Sequence, residues 1–240
     1  MNQTPLIAIH GVTRAYGGLR PLRIRAFEAR AADRIVLTGF DQGAAESFVH
    51  LVTGAALPEA GEVRIDGRAT HEASADTDWL RSLDRFGLVT ERAVLLEQLS
   101  TAANLALPLT LAVDPMTDEA RAHAEDLALA VALTPRLDAA AGTLTPAERL
   151  RVHLARAVAT GPDMLLLEHP TAALAEPAER EAFGRLLVAV AEARGCGWIA
   201  LTADDVFARA TGVPARRLAP ATGDLTDGGG RGWRRWFGSR

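Results

Sequence analysis

No lysine occurs anywhere in this chain of 240 residues, and all 26 basic side chains are arginine. A motif that relies on a lysine ammonium must do without one here. Cysteine is nearly as scarce. Cys196 alone allows no internal disulfide and no cysteine-based metal cluster, which fits a reducing compartment and makes cytoplasm the expected location. No window approaches the roughly 18 apolar residues of a membrane span, and no early stretch joins a basic start to a long apolar run. The chain is therefore expected to be neither integral nor exported. Net charge is −4, and setting aside Arg231, Arg234, Arg235 and Arg240 leaves −8 on residues 1–230, so a sequence-wide case for nucleic-acid binding is absent. Internal repeats are absent too. What is present is 48% hydrophobic content, enough to build the core of one α/β domain with or without an inserted lobe.

The stretch from Arg34 to Gly67 organises the rest. Ile35, Val36 and Leu37 suit a short buried parallel strand, and Gly39 breaks it where the chain turns toward a helix carrying Phe48, Val49, Leu51 and Val52. A further turn and strand follow. Strand, glycine turn and helix are the shape of a phosphate-binding loop, in which backbone N–H groups and a helix N-terminus cradle phosphates, a lysine reaches the outer phosphates and a hydroxyl holds magnesium. Starting the pattern GxxxxGK[ST] at Gly39 puts Ala44 at the second glycine, Ala45 at the lysine and Glu46 at the hydroxyl, with Ser47 next. One positive charge goes and one negative charge arrives. At an effective dielectric of about 20, unit charges 4 Å apart interact by about 4 kcal/mol, so phosphate binding is expected to be substantially weakened.

On either side the pattern continues as an α/β alternation. Leu6–Ile9 and Leu22–Phe27 alternate as strands of a small antiparallel layer around Tyr16-Gly17-Gly18. Tyr16, the only tyrosine, is either a platform for an aromatic base or ordinary packing before a turn. Trp79, Leu80 and Leu83 suggest a short helix, and Phe86–Thr90 a buried strand. Residues 91–160 read as an inserted helical lobe, with an alanine-rich helix over Thr117–Leu133 whose first turn holds Asp118 and Glu119. Thr145-Pro146-Ala147-Glu148 supplies a capping box for a helix reaching about Ala159. Met164–Leu167 is a second buried strand ending at Glu168-His169-Pro170-Thr171; Phe183, Leu186, Leu187 and Val190 mark a helix face, and Trp198–Leu201 a third strand. The alternation implies a mostly parallel sheet covered by helices on both faces, with ligands at the strands' C-terminal ends. From Pro220 the pattern dissolves, so residues 221–240 read as a tail, through Gly228-Gly229-Gly230 to Trp233, Trp236 and Phe237 among arginines. That tail is either a membrane-surface contact or a solvated end.

Taken together and in this order, the stretches resemble the nucleotide-binding subunit of ABC transporters over roughly residues 5–220. The resemblance implies a P-loop NTPase-like, RecA-like parallel sheet core, an antiparallel sublayer and an inserted helical subdomain, within one domain over 1–220. It also implies ATP and magnesium as ligands, a second such subunit (homo- or heterodimer) closing head to tail, an integral membrane permease as partner, and a place on the cytoplasmic face of the membrane. Residue by residue, Tyr16 matches the adenine-stacking aromatic. The Walker A equivalent is Gly39, Phe40, Asp41, Gln42, Gly43, Ala44, Ala45, Glu46 and Ser47. Glu91 takes the place of the Q-loop glutamine. Leu144, Thr145, Pro146, Ala147 and Glu148 resemble the LSGGQ signature, with proline and alanine where its glycines belong. Glu168 replaces the Walker B aspartate, a position from which it could still hold metal-bound water, and His169 replaces the general-base glutamate. Ala175 stands at the D-loop aspartate and Ala203 at the switch histidine.

Three functions are compatible with these residues. The first is a catalytically degenerate cassette that docks on a permease and contributes structure or weak nucleotide binding. The second is an ATPase rebuilt around Glu168, His169 and an arginine, which would have to arrive from outside the loop because the loop has none. The third is a nucleotide-sensing or scaffold module outside transport. Asn104–Leu109 is similar to a segment of cassettes serving lipid and lipoprotein trafficking.

Overall fold

The computed structural model describes residues 4–72, 83–90 and 92–227. The expected helix around Trp79 and Leu80, the position of Glu91 and the segment bearing Trp233, Trp236 and Phe237 lie outside the described residues. In chain order the elements are β1 (Ile7–Arg14), β2 (Leu22–Ala29), β3 (Arg34–Thr38), α1 (Gln42–Val52), β4 (Ala60–Ile65), β5 (Arg68–Ala69), β6 (Phe86–Val89) and α2 (Thr101–Ala106). Then come α3 (Asp118–Ala130), α4 (Pro146–Val158), β7 (Met164–Glu168), α5 (Pro177–Arg194), β8 (Gly197–Leu201), α6 (Asp205–Ala210), β9 (Ala215–Ala219) and β10 (Asp224–Asp227).

Two sheets result. The larger runs β10-β9-β3-β8-β7-β6, parallel throughout except for the antiparallel β9–β10 pair; the smaller runs β2-β1-β4-β5 and is antiparallel. The near-continuous apolar runs seen in the sequence are central parallel strands covered on both faces, and side-chain parity divides them. Ile35, Leu37, Met164, Leu166, Ile199 and Leu201 face the antiparallel layer and α1. Val36, Leu165, Leu167, Trp198 and Ala200 face the opposite way, into a core shared with α4, α5 and the helices inserted between β6 and β7. Phe48 on α1 sits at the centre of the first core, edge-on to Phe27 of β2 at 5.6 Å and to Phe40 at 5.9 Å. These contacts fix the start of α1 against the sheet.

The helix starts follow their caps. Asp41, Thr117 and Thr145 each turn a side-chain oxygen onto the third backbone N–H ahead, and Thr145 with Glu148 completes the expected capping box. The alanine-rich helix ends at Ala130 rather than Leu133, because Ala132 turns out at φ +55°.

Regular structure continues past Pro220, where the sequence pattern stops. Thr222-Gly223-Asp224, read from the sequence as part of a tail, is a hairpin turn: Gly223 adopts φ +77°, β10 folds back on β9, and the Gly223 carbonyl accepts from Arg25 N of β2 at 2.9 Å. Parallel pairing puts the loops after β3, β6, β7 and β8 at one end of the sheet, and these loops carry the candidate residues.

Gly87 in β6 is where α4 approaches most closely. A Cβ there would run into the Ala157 carbonyl and crowd Leu165. Gly87→Ala is expected to destabilise the chain by about 1–3 kcal/mol through overpacking. Urea unfolding of wild type and variant checks it, an unchanged midpoint being the contrary result.

Candidate functional site

The loop after β3 is short. Gly39 turns at φ +85° with Leu218 of β9 so near that a Cβ would lie 2.8 Å from its carbonyl oxygen, and α1 already begins at Gln42. The positions of the pattern's second glycine, lysine and hydroxyl therefore lie inside the helix. Their backbone donors are engaged: Ala44 N–H donates to Asp41 Oδ1 at 2.8 Å, and Ala45 N–H to the Asp41 carbonyl at 2.9 Å. The side chains of Phe40, Ala44 and Ala45 are buried in the core rather than turned to a ligand, whereas Gln42 is exposed.

Tyr16 lies across this loop. Its ring occupies the space a Cβ at Gly43 would need, 2.7 Å from Cδ2, and its hydroxyl donates to Asp41 Oδ2 at 3.0 Å. One Asp41 carboxylate thus caps α1 with one oxygen and holds Tyr16 with the other. Tyr16, Gly43, Glu46, Ser47 and His50 share a cleft of about 210 Å³.

Glu46 is ion-paired through both oxygens by Arg92, which arrives from the segment after β6, and its Oε1 lies 3.8 Å from His50 Nε2. Glu168, at the end of β7, is the buried carboxyl beside this pair, only 4% exposed, with Oε2 lacking a partner. Burial raises its pKa above the ordinary carboxylate value; a hydrogen bond from Thr90 opposes that, Glu46 adds to it, and His50 and Arg92 oppose it. Among the described residues no group of three or more histidine, cysteine or acidic side chains is placed to hold a metal.

His169 takes φ +39°, an uncommon conformation for a residue other than glycine, and its backbone N–H donates to the Leu201 carbonyl at 2.8 Å. It lines a separate cavity of about 260 Å³ with Thr171, Arg180, Ala203 and Asp204. There its Nε2 is buried without a partner, while Thr171 Oγ1 donates to Asp204 Oδ2 at 2.7 Å. The structure thus groups His169 with Ala203, and Glu168 with Glu46.

The signature-like residues stand apart from both groups. Thr145 N–H donates to Glu148 Oε2 at 2.9 Å and Glu148 N–H to Thr145 Oγ1 at 3.2 Å, so the first donors of α4 are taken by the capping box. Leu144 and Ala147 pack against the core of the helical segment. Pro146 lines a cavity of about 550 Å³ with Thr90, Val94, Leu95, His153 and Pro170, which meets a second hollow of about 270 Å³ at Ala93 and His153. Burial, reinforced by Arg156 and Arg149, holds the His153 pKa down to about 4, so its imidazole is neutral at physiological pH.

Sequence reasoning missed Arg92, His153 and the double role of Asp41. The aspartate had a signal, since an acidic residue directly before a helix reads as a cap. Arg92 had none: it meets a partner 46 residues away through folding alone.

Comparison with known proteins places these features. A family described as ABC transporter matches residues 34–172. The lipoprotein-releasing system ATP-binding protein LolD of Gluconobacter oxydans is 31% identical, over 85% of this chain and 89% of its own length. LolD 2 of Caulobacter vibrioides is 30% identical, over 85% and 91%. The fold is similar to the ATP-binding cassette MJ0796, solved as a post-hydrolysis dimer with ADP and phosphate, at a TM-score of 0.66 and 23% identity over 88% of this chain and 93% of that one.

The Glu168 carboxyl supplies a test. A carboxyl whose folded-state pKa is raised contributes stability that is present below its unfolded value and lost as pH rises through the folded one. Glu168→Gln, neutral throughout, is expected to gain stability relative to wild type as pH is taken from 4 to 8. Urea midpoints across that range check it, and parallel pH profiles would be the contrary result.

Proposed function

We propose that this chain, which belongs to the ABC transporter family as an ATP-binding-cassette subunit, docks on an integral membrane permease and contributes structure to it, binding nucleotide weakly at most and not turning it over. The observation that carries the reading is the state of the phosphate loop. Two of its N–H donors are satisfied by Asp41, the lysine position is a buried alanine, and the hydroxyl position is a glutamate already paired with Arg92. These residues do not fit a magnesium-bound triphosphate: an incoming phosphate would meet the Asp41 and Glu46 carboxylates, at a helix start whose Ala44 N–H is already given to Asp41.

The chemistry after β7 supports the same reading. A base and a metal-holding carboxylate need a common reaction centre, whereas Glu168 sits beside Glu46 and His169 lines another cavity. The required arginine does arrive from outside the loop, but it is spent on Glu46. Tyr16, the matched aromatic, is held by Asp41. A second cassette-type subunit is the pairing partner in this reading.

The permease contact is assigned to the hollow between β6 and the helical segment. Leu88, 41% exposed, and Leu107-Pro108 give it apolar walls, and neutral His153 adds a polar atom without charge. Such a hollow suits a short amphipathic helix of a membrane protein. Extracted from its native membranes in mild detergent, the chain is expected to co-purify with an integral membrane protein, and Leu88→Glu to cut that recovery about tenfold or more. Recovery as a partnerless monomer, or equal recovery with Leu88→Glu, would contradict the assignment.

A further inference from the structure

The segment that follows β6 is tied to two parts of the molecule by different means. Toward the helical segment it is held by many bonds. Arg156 Nη1 donates to the Val94 carbonyl at 2.8 Å, Arg149 donates through both terminal nitrogens to Glu97 Oε1 at 3.2 Å, and buried Asn104 exchanges bonds of 2.9 and 3.0 Å with the Leu96 backbone. Toward α1 it is held by Arg92, whose guanidinium closes both oxygens of Glu46. The Arg92 side chain is 64% exposed, whereas its partner Glu46 is only 20% exposed, beside buried Glu168. Carboxylates gather at this loop, Asp41 at its helix cap, Glu46 on the first turns and Glu168 beyond, while lysine is missing. A planar fork of N–H donors is the complement of such a place, and a bidentate pair is the strong form of that contact.

We infer that the phosphate loop of this chain is a receptor for a guanidinium, filled in cis by Arg92, and that this contact latches the 92–97 segment onto α1 without any bound nucleotide. The latch goes beyond the docking assignment. Ala93, Val94, Leu95 and Glu97 wall the larger cavity, so Arg92 sets the position of one wall from the phosphate loop. Any effect of that position on a permease rests on the docking reading; the latch itself is a property of the isolated chain.

Amide hydrogen exchange on the purified full-length chain tests it, without nucleotide, on wild type, Arg92→Glu, Glu46→Arg and the double charge reversal. Arg92→Gln serves as a milder variant, and circular dichroism establishes that each is folded. Peptides covering 92–97 are expected to exchange at least fivefold faster in either single reversal and in Arg92→Gln. They are expected to return to within twofold of wild type in the double reversal, with β7 and β8 peptides unchanged throughout. Single variants that leave 92–97 within twofold of wild type, or a folded double reversal that fails to restore protection, would overturn the latch. Permease co-purification is read separately, so a failed latch with retained docking, and the reverse, remain distinguishable.

Discussion

A helix N-terminus presents donors that must find acceptors, and at the start of α1 the acceptor is Asp41. Much of the candidate site follows from that one satisfied demand. With Asp41 Oδ1 on the Ala44 N–H, α1 can begin at Gln42, immediately after a three-residue turn, and Ala44 and Ala45 become core residues of a helix rather than the rim of an anion cradle. The second carboxylate oxygen takes the Tyr16 hydroxyl, which lays the ring over Gly43. Two of the loop's backbone donors and the Tyr16 hydroxyl are thus taken by one residue. Glu46 and Arg92 add a charge pair.

The scaffold beneath is that of an ATP-binding cassette, because the forces that specify it do not involve the ligand. Buried parallel strands need apolar residues on both faces, and the division of β3, β7 and β8 by parity between two cores meets that need. The turn at Gly39 is required by its approach to Leu218, whether or not phosphate is present. Packing constraints of this kind keep the fold while the residues at the strand ends change chemistry, which is why the family can be assigned and activity does not follow from it.

Much of this was legible in the sequence. Apolar runs identify β3, β7 and β8, the Thr145–Glu148 box marks the start of α4, and Gly39 marks the loop. Local signals such as these act over a few residues and survive into the structure unchanged. β9 and β10 were not legible, since Ala-Arg-Arg-Leu-Ala lacks the apolar density of a central strand and Pro220 interrupts the pattern, and their pairing is set by the neighbours β3 and β2. The Glu46–Arg92 pair and the separation of His169 from Glu168 were hidden for the same reason: each depends on which segments the sheet topology brings side by side. His169 is the sharper case, because adjacency in sequence suggested a joint role that the chain turn at φ +39° divides between two places.

The central claim is that Asp41, Tyr16 and the Glu46–Arg92 pair hold the phosphate loop in a form that does not accept a triphosphate. Calorimetric titration of purified wild-type protein with ATP, with and without magnesium, tests it most directly. The account predicts no binding heat up to millimolar ATP and no difference on adding magnesium. Magnesium-dependent binding in the micromolar range would contradict it, and would mean that Asp41 and Arg92 release the loop to a triphosphate.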